Sequence, residues 1–191
     1  MMMIRGSARV LGVALAAAPL VVSCGDNVKP QASPDAPAPD AAGPAATAIP
    51  LSTPDGSFYT AMVAIGTQMF ALDVDTGSTT IGVAGASCTG CTGISPLYMP
   101  GGAAADDNRT ASTTYGDGSK WSGEVFTDMV GLGSVTPQVG VGFVNITSET
   151  SFFDGNMNLY QGIFGLGPSD LLEPGTTSYL DAKAVASGNP T

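Results

Sequence analysis

From residue 52 onward, apolar and polar positions alternate in short segments separated by Gly, Pro, Asn and Asp. This alternation is typical of half-buried β-strands joined by turns. The segments FYTAMVAIG and MFALDVDTG predict two strands, and GEVFTDMVGLG and QVGVGFVNIT predict two more. In MFALDVDTG, Phe70, Leu72 and Val74 lie on one face of the strand, opposite Asp73 and Asp75. The pattern therefore predicts a domain built mainly of β-strands.

The last element is the only segment whose apolar spacing is helical. In TTSYLDAKAVASG, Tyr179 and Leu180 are expected to share one face of a helix with Ala184 and Val185. Composition agrees with a loop-rich β-protein, since 26 of the 191 residues are Gly, 14 are Pro and only 12% are charged. We expect an all-β fold with one short C-terminal helix.

Charge and the lack of histidine exclude several classes of function. The chain has 6 Lys and Arg against 16 Asp and Glu, a net charge of −10. A nucleic acid partner is not expected, because phosphate contacts need clustered cationic side chains. Without histidine, neither a Ser-His-Asp triad nor a His-ligated zinc site is available. We expect no metal and no cofactor.

The N-terminal residues have the pattern of a targeting segment. Arg5 and Arg9 precede an apolar run over residues 10–22, which is too short to span a membrane but suits a signal peptide. The run ends in VVSC and resembles a bacterial lipoprotein signal, in which Cys24 becomes the lipidated N-terminus. The alternative is an ordinary cleaved secretion signal over residues 1–23. We expect export to the outer membrane or cell surface through a lipid anchor, or otherwise secretion.

A segment rich in Ala, Pro and Asp follows the cysteine. Residues 24–51 contain GDNVKPQASPDAPAPDAAGPAATAIP and have no apolar periodicity. Such a segment cannot bury a core, and its proline content favours an extended chain. We interpret residues 24–51 as a disordered tether and residues 52–191 as the folded domain.

Three separated motifs carry the candidate chemistry: DTGST at residues 75–79, YGDGSKWSG at 115–123 and GIFGLG at 162–167. A lone D-T-G is weak evidence, since Asp and Gly favour plain turns. In this order and spacing, the three motifs resemble the N-terminal lobe of a pepsin-like aspartic protease. The resemblance implies a single lobe of a bilobal fold, with GIFGLG buried in its core. Gln161 stands where the family usually has aspartate.

The resemblance assigns roles to the residues of the first motif. Asp75 is then one of two catalytic carboxylates that hold a water between them and share a proton. Gly77 allows the backbone to approach the carboxylate without a side-chain clash. Thr76 is expected to hydrogen-bond across the lobe interface, and Ser78 to hydrogen-bond the Asp75 carboxylate.

The second motif resembles the family's flap, a hairpin that covers the substrate. Tyr115 matches the flap tyrosine, and Gly116, Asp117 and Gly118 form the hairpin tip. Many family members have a tryptophan shortly after D-T-G that bonds this tyrosine. This chain has TTIGVAG there, and its only tryptophan is Trp121, within the flap hairpin. Anchoring of the flap is therefore expected to differ.

Cys88 and Cys91 lie in the segment SCTGC, just after the catalytic strand. A redox C-x-x-C centre and half of a metal site are alternatives, although a redox centre normally begins a helix in a βα unit. The family often has a small disulfide loop in this position, and export favours oxidation. The resemblance thus implies a structural disulfide.

Together the motifs indicate an aspartic endopeptidase that hydrolyses polypeptide substrates. The chain contains one D-T-G and no second D-[ST]-G, so half of the catalytic pair is not in it. We expect the second carboxylate to come from a missing C-terminal lobe, which would make the chain a truncated lobe. The alternatives are a homodimeric protease, with one aspartate from each copy, and a surface binding module without catalysis.

Overall fold

A computed structural model describes residues 48–133 and 137–188 of the chain. The predicted signal peptide at residues 1–23, the lipidation site Cys24 and residues 24–47 of the predicted tether lie outside the described residues. Leu51, at the end of the predicted tether, already pairs with Ala61 in a first short strand. Among the described residues, the first strand therefore begins one residue before the predicted boundary.

The described residues form one eight-stranded sheet, followed by short helices. The strand order is β1-β2-β3-β8-β4-β7-β6-β5, and β2 also pairs with β6, so the sheet curls back on itself. The elements are β1 Leu51–Ser52, β2 Thr60–Ile65, β3 Gln68–Asp75, β4 Ile81–Thr89, β5 Ala105–Thr114, β6 Lys120–Leu132, β7 Val139–Thr150, β8 Gly162–Gly165, a 3₁₀ turn Ser169–Leu171 and helix α1 Tyr179–Ala186. The predicted all-β fold with a short C-terminal helix is confirmed.

The main core lies on the apolar face of β3 and its neighbours. Phe70 and Leu72 are fully buried, and Val74 packs against the same cluster, as the alternation of the strand predicts. Tyr98 lies at the centre, and its hydroxyl donates a 3.0 Å hydrogen bond to the buried Asp128 carboxylate. Burial and this carboxylate raise the pKa of Tyr98. A buried polar pair that is hydrogen-bonded in this way is compatible with the apolar core.

Helix α1 covers one end of the core, but not with the face predicted from the sequence. The Ser178 side chain caps the helix by accepting the Asp181 amide at 3.2 Å. Tyr179 is buried against Phe164, whereas Leu180 and Val185 are 50% and 68% exposed. The predicted face is wrong because adjacent residues point about 100° apart on a helix. Ala182, three residues after Tyr179, packs on the core instead.

No helix among residues 48–133 and 137–188 combines the length and the apolar character needed to cross a membrane.

The GIFGLG segment forms β8, in the middle of the sheet. It runs parallel to β3, with Asp75 opposite Gly165, and antiparallel to β4. All four residues of β8 are buried, which confirms the packing role expected for this motif. A β-carbon on Gly162 would overlap the carbonyl oxygen of Gly82, so glycine is required for this close pairing. The pairing brings the second half of the domain against the end of β3, where Asp75 lies.

Candidate active site

Asp75 is the last residue of β3, and its carboxylate is held by the loop that follows. Its Oδ1 accepts a hydrogen bond from the Gly77 amide at 2.7 Å. A β-carbon on Gly77 would lie 3.1 Å from the same oxygen, so glycine leaves room for this approach. Asp75 is partly exposed at the C-terminal end of β3. The carboxylate is thus oriented by backbone while it stays accessible.

Ser78 does not make the contact predicted for it. Its hydroxyl is buried without a hydrogen-bond partner among the residues that the structure describes. The prediction that Ser78 bonds the Asp75 carboxylate is therefore wrong for this structure. The physical reason is local, because an Asp side chain readily accepts the amide two residues on. Thr76 is exposed, and its expected bond across a lobe interface stays a prediction.

Gly165 and Gly167 lie directly against the backbone of the Asp75 loop. The Leu166 amide donates to the Asp75 carbonyl at 2.8 Å, and the Gly167 amide donates to the Ser78 carbonyl at 2.7 Å. A β-carbon on Gly165 would lie 2.6 Å from the Thr80 nitrogen, and one on Gly167 would lie 2.8 Å from the Ser78 oxygen. The sequence predicts a packing role alone for GIFGLG. Its glycines also allow the backbone contacts that hold the Asp75 loop.

The flap motif forms the predicted hairpin between β5 and β6. The Tyr115 amide donates to the Ser119 carbonyl at 2.8 Å, and Gly118 adopts φ +89°, a conformation that favours glycine. Asp117 Oδ1 accepts both the Ser119 hydroxyl at 2.7 Å and the Ser119 amide at 2.9 Å. These bonds hold the pKa of Asp117 below its ordinary value. Gly116, Asp117 and Gly118 form the exposed tip of the hairpin.

Trp121 anchors the flap tyrosine. It is buried on β6, and its Nε1 donates a 3.0 Å hydrogen bond to the Tyr115 hydroxyl. The Tyr115 ring also stacks on Phe152, with centroids 5.6 Å apart and planes 19° apart. The tryptophan that many family members have shortly after D-T-G is absent here. Trp121, on the second strand of the hairpin, bonds the flap tyrosine instead. The flap tyrosine is held within its own lobe by these two contacts.

The electrostatics of the site are dominated by carboxylates. Burial raises the pKa of Tyr115 to about 12, with the Trp121 hydrogen bond acting in the opposite direction and the charges of Asp75, Asp73 and Glu173 adding to the rise. Burial also raises the pKa of Asp73, and the neighbouring charge of Asp75 raises it further. Tyr115 therefore stays protonated over the physiological range and remains a hydrogen-bond donor.

A cavity of about 300 Å³ joins these elements. Residues 77–80 of the Asp75 loop form one wall, and flap residues 113–116 with Trp121 form a second. Leu171 and Glu173, which follow β8, form the third. The structure therefore brings the first two sequence motifs to one cleft, and the third motif supports it from within the sheet. Glu173 lies outside every motif, so the sequence carries no local signal that would place it in the cleft.

Cys88 and Cys91 form a disulfide, with Cα atoms 5.6 Å apart, as the resemblance implied. Cys91 is buried in a second core cluster that also contains Trp121, Ile94 and Phe153. The disulfide joins the end of β4 to the turn that follows, and neither cysteine lines the cleft. Its role in this structure is to support packing.

Comparison with known proteins agrees with this geometry. A model of the eukaryotic aspartyl protease family matches residues 58–185, which is more than half of the chain. This chain belongs to the aspartyl protease family. An aspartic protease from Phaffia rhodozyma is 36% identical over 141 residues, which cover 71% of this chain and 33% of that protein. Two further aspartyl proteases extend the comparison to another genus.

Rhizopuspepsin-3 from Rhizopus niveus is 42% identical over 82 residues, covering 41% of this chain and 21% of that protein. Rhizopuspepsin from Rhizopus chinensis is 36% identical over 113 residues, covering 57% and 28%. This chain therefore spans about a third or less of the length of these aspartyl proteases.

The hydrogen bond between Trp121 and Tyr115 predicts a measurable coupling in this aspartyl protease lobe. Trp121→Phe and Tyr115→Phe each remove the bond while keeping an aromatic ring. A double-mutant cycle on the free energy of unfolding should give a coupling of about 1 kcal/mol, the usual net value of such a bond. Strictly additive effects in urea unfolding would contradict an anchoring role for Trp121.

The raised pKa of Asp73 predicts a pH-dependent stability. Because the folded state disfavours the charged carboxylate, Asp73 destabilises the fold above its raised pKa and has no such effect below the ordinary value of 3.8. Asp73→Asn should therefore increase the free energy of unfolding at neutral pH, and the gain should vanish below about pH 4. Urea unfolding at both pH values measures this. Asp154→Asn, at an exposed carboxylate, is the control, and an equal gain at both pH values would indicate packing instead.

Proposed function

We propose that this chain supplies one half of the active site of an aspartic endopeptidase that acts on polypeptides. The observation that carries the proposal is the cleft in which the Asp75 loop and the flap, with Tyr115, face each other. Membership of the aspartyl protease family supports aspartic-type peptidase activity in general. The oriented, accessible carboxylate supports a role for Asp75 in the chemistry.

In the proposed reaction, Asp75 works with a second carboxylate across a shared water. Two carboxylates at that separation do not both ionise freely, so the pair holds one proton. The charged member takes a proton from the water, and the neutral member protonates or hydrogen-bonds the scissile carbonyl oxygen. The water then attacks the carbonyl carbon, and the peptide bond breaks without a covalent enzyme intermediate. The titration belongs to the pair and not to either residue.

In this proposal, a second lobe or a second copy of the chain supplies the second carboxylate. The sequence contains a single D-T-G, and the match covers 33% of the aspartic protease from Phaffia rhodozyma, which is thus about three times as long as the matched region. This supports a second lobe as the donor. A second copy of the chain is the other source of the same chemistry, with one aspartate from each copy on either side of a two-fold axis.

The Asp75 role is tested by cleavage of an unfolded protein at acid pH, with products identified by mass spectrometry. Asp75→Asn should lower the rate by at least ~100-fold, since it removes a proton-transfer group. Asp154→Asn removes an exposed carboxylate elsewhere and should leave the rate unchanged. The protein is produced from its whole reading frame, so that any second lobe is present. Cleavage that survives in Asp75→Asn would refute the proposed role.

The source of the second carboxylate is tested with the isolated chain. If a second copy supplies the second carboxylate, the cleavage rate per chain should rise with chain concentration. Mixing the wild-type chain with Asp75→Asn should then lower that rate. If a second lobe supplies it, the isolated chain should be inactive at every concentration while the whole reading frame is active. Inactivity of both would favour a binding module.

We also propose, from the sequence alone, that the chain is exported and anchored through a lipid on Cys24. The apolar run ending in VVSC supports this. Cys24→Ala should move the chain from the membrane fraction to the soluble fraction, because the thiol that carries the lipid is lost. Mass spectrometry of the N-terminal peptide provides the direct check. An unmodified Cys24, or membrane retention of the variant, would contradict lipidation.

A further inference from the structure

The cleft contains a carboxylate that the proposed chemistry does not use. Glu173 is half-buried in the wall of the 300 Å³ cavity, opposite the flap. Its Oε1 accepts the Thr113 hydroxyl of the flap strand at 2.6 Å. The remaining polar lining nearby consists mainly of hydroxyl groups, including those of Thr80 and Thr114. The cavity therefore presents one negative charge surrounded by neutral hydrogen-bonding groups.

The backbone holds Glu173 firmly against the Asp75 loop. Its amide donates to Thr80 Oγ1 at 3.1 Å, and its carbonyl accepts Thr176 Oγ1 at 2.7 Å. Two residues earlier, the Leu171 carbonyl accepts Thr79 Oγ1 at 2.8 Å. These bonds join a segment more than 90 residues away to the loop that begins at Asp75. The distance from the reacting centre to Glu173 is thus set by the fold and not by a flexible tail.

The charge of Glu173 is not neutralised within its surroundings. No Lys or Arg belongs to the described residues that line the cavity. The Arg109 side chain lies close to Gly175, and Arg109 is not among the described residues that line the cavity. Burial is the main cause of the raised pKa of Tyr115, and the charge of Glu173 adds to it after those of Asp75 and Asp73. A partly desolvated carboxylate of this kind gains from a cationic partner.

We propose that Glu173 is a specificity-determining residue and that the cavity takes a cationic side chain, Lys or Arg, of the polypeptide cleaved at Asp75. The inference rests on the proposed function, because it assigns the side chain that one subsite selects. The carboxylate pairs with the ammonium or guanidinium group, and the threonine hydroxyls accept the remaining N–H groups. The apolar stem of the substrate side chain lies along Trp121 and Leu171 in the same cavity.

Binding of short peptides tests the subsite without requiring catalysis. The probes are Ac-Ala-Lys-Ala-NH2 and Ac-Ala-norleucine-Ala-NH2, which have side chains of similar shape and differ in charge. They are titrated into the ¹⁵N-labelled chain and followed by the amide signals of Thr80, Thr114 and Glu173. The lysine peptide should bind about threefold to tenfold more tightly, the range expected for a partly exposed, hydrogen-bonded ion pair. The preference should shrink as salt is added.

Glu173→Gln separates charge from shape, because its amide oxygen still accepts the Thr113 hydroxyl. The variant should bind both peptides equally, with an unchanged melting temperature. Glu124→Gln removes the same charge from an exposed position on β6 and should keep the wild-type preference. Equal binding by the wild type, a preference that persists in Glu173→Gln, or no binding of the lysine peptide would each overturn the proposal.

A cleavage assay keeps this inference distinct from the proposed function. The protein from the whole reading frame is given a peptide library, and the cut sites are compared between wild type and Glu173→Gln. Enrichment of Lys or Arg at one fixed distance from the cut, lost in the variant, supports both proposals. Lysine-selective binding without cleavage would refute the endopeptidase and leave the subsite standing. Cleavage without this enrichment would refute the subsite alone.

Discussion

The parallel pairing of β3 with β8 is the contact on which the site depends. It sets Asp75 opposite Gly165, and the absence of side chains at Gly165 and Gly167 lets their backbone lie directly against the Asp75 loop. Two backbone hydrogen bonds, from Leu166 and Gly167, then hold that loop. Parallel strands need a long crossover between them, and here the crossover contains the flap. The same pairing therefore supports the Asp75 loop, and the flap lies across the cleft from that loop.

The flap and the cleft show how one lobe organises its own half of a site. Trp121 and Phe152 hold Tyr115 from within the lobe, by a hydrogen bond and a stacked ring. Burial raises the pKa of the same tyrosine, the charges of Asp75, Asp73 and Glu173 raise it further, and Tyr115 stays protonated. The protonated Tyr115 hydroxyl and the Glu173 carboxylate both line the cleft. The two groups are compatible with acid-pair hydrolysis and with a cationic substrate side chain. Both features come from contacts inside the described residues.

Several parts of the fold could be predicted from local pattern. The alternation of Phe70, Leu72 and Val74 identified the buried face of β3, and the Asp-Gly sequence at 117–118 identified the hairpin. Other expectations failed because a local sequence pattern does not specify which groups a side chain contacts in the fold. The Asp75 carboxylate accepts the Gly77 amide, whereas the Ser78 hydroxyl has no hydrogen-bond partner among the described residues. The predicted face of α1 was wrong because Tyr179 and Leu180 point about 100° apart on the helix, so Tyr179 is buried and Leu180 is exposed.

By itself, the sequence determined the strands, the turn chemistry, the motif order and the family to which they point, because these depend on residues close together along the chain. Only the tertiary structure decided that Trp121 anchors Tyr115, that the glycines of GIFGLG support the Asp75 loop, and that Glu173 lines the cleft. Thr80 and Glu173 are 93 residues apart in sequence and in contact in the fold. No local pattern encodes such a contact, because it forms only when distant strands pair and close the sheet on itself.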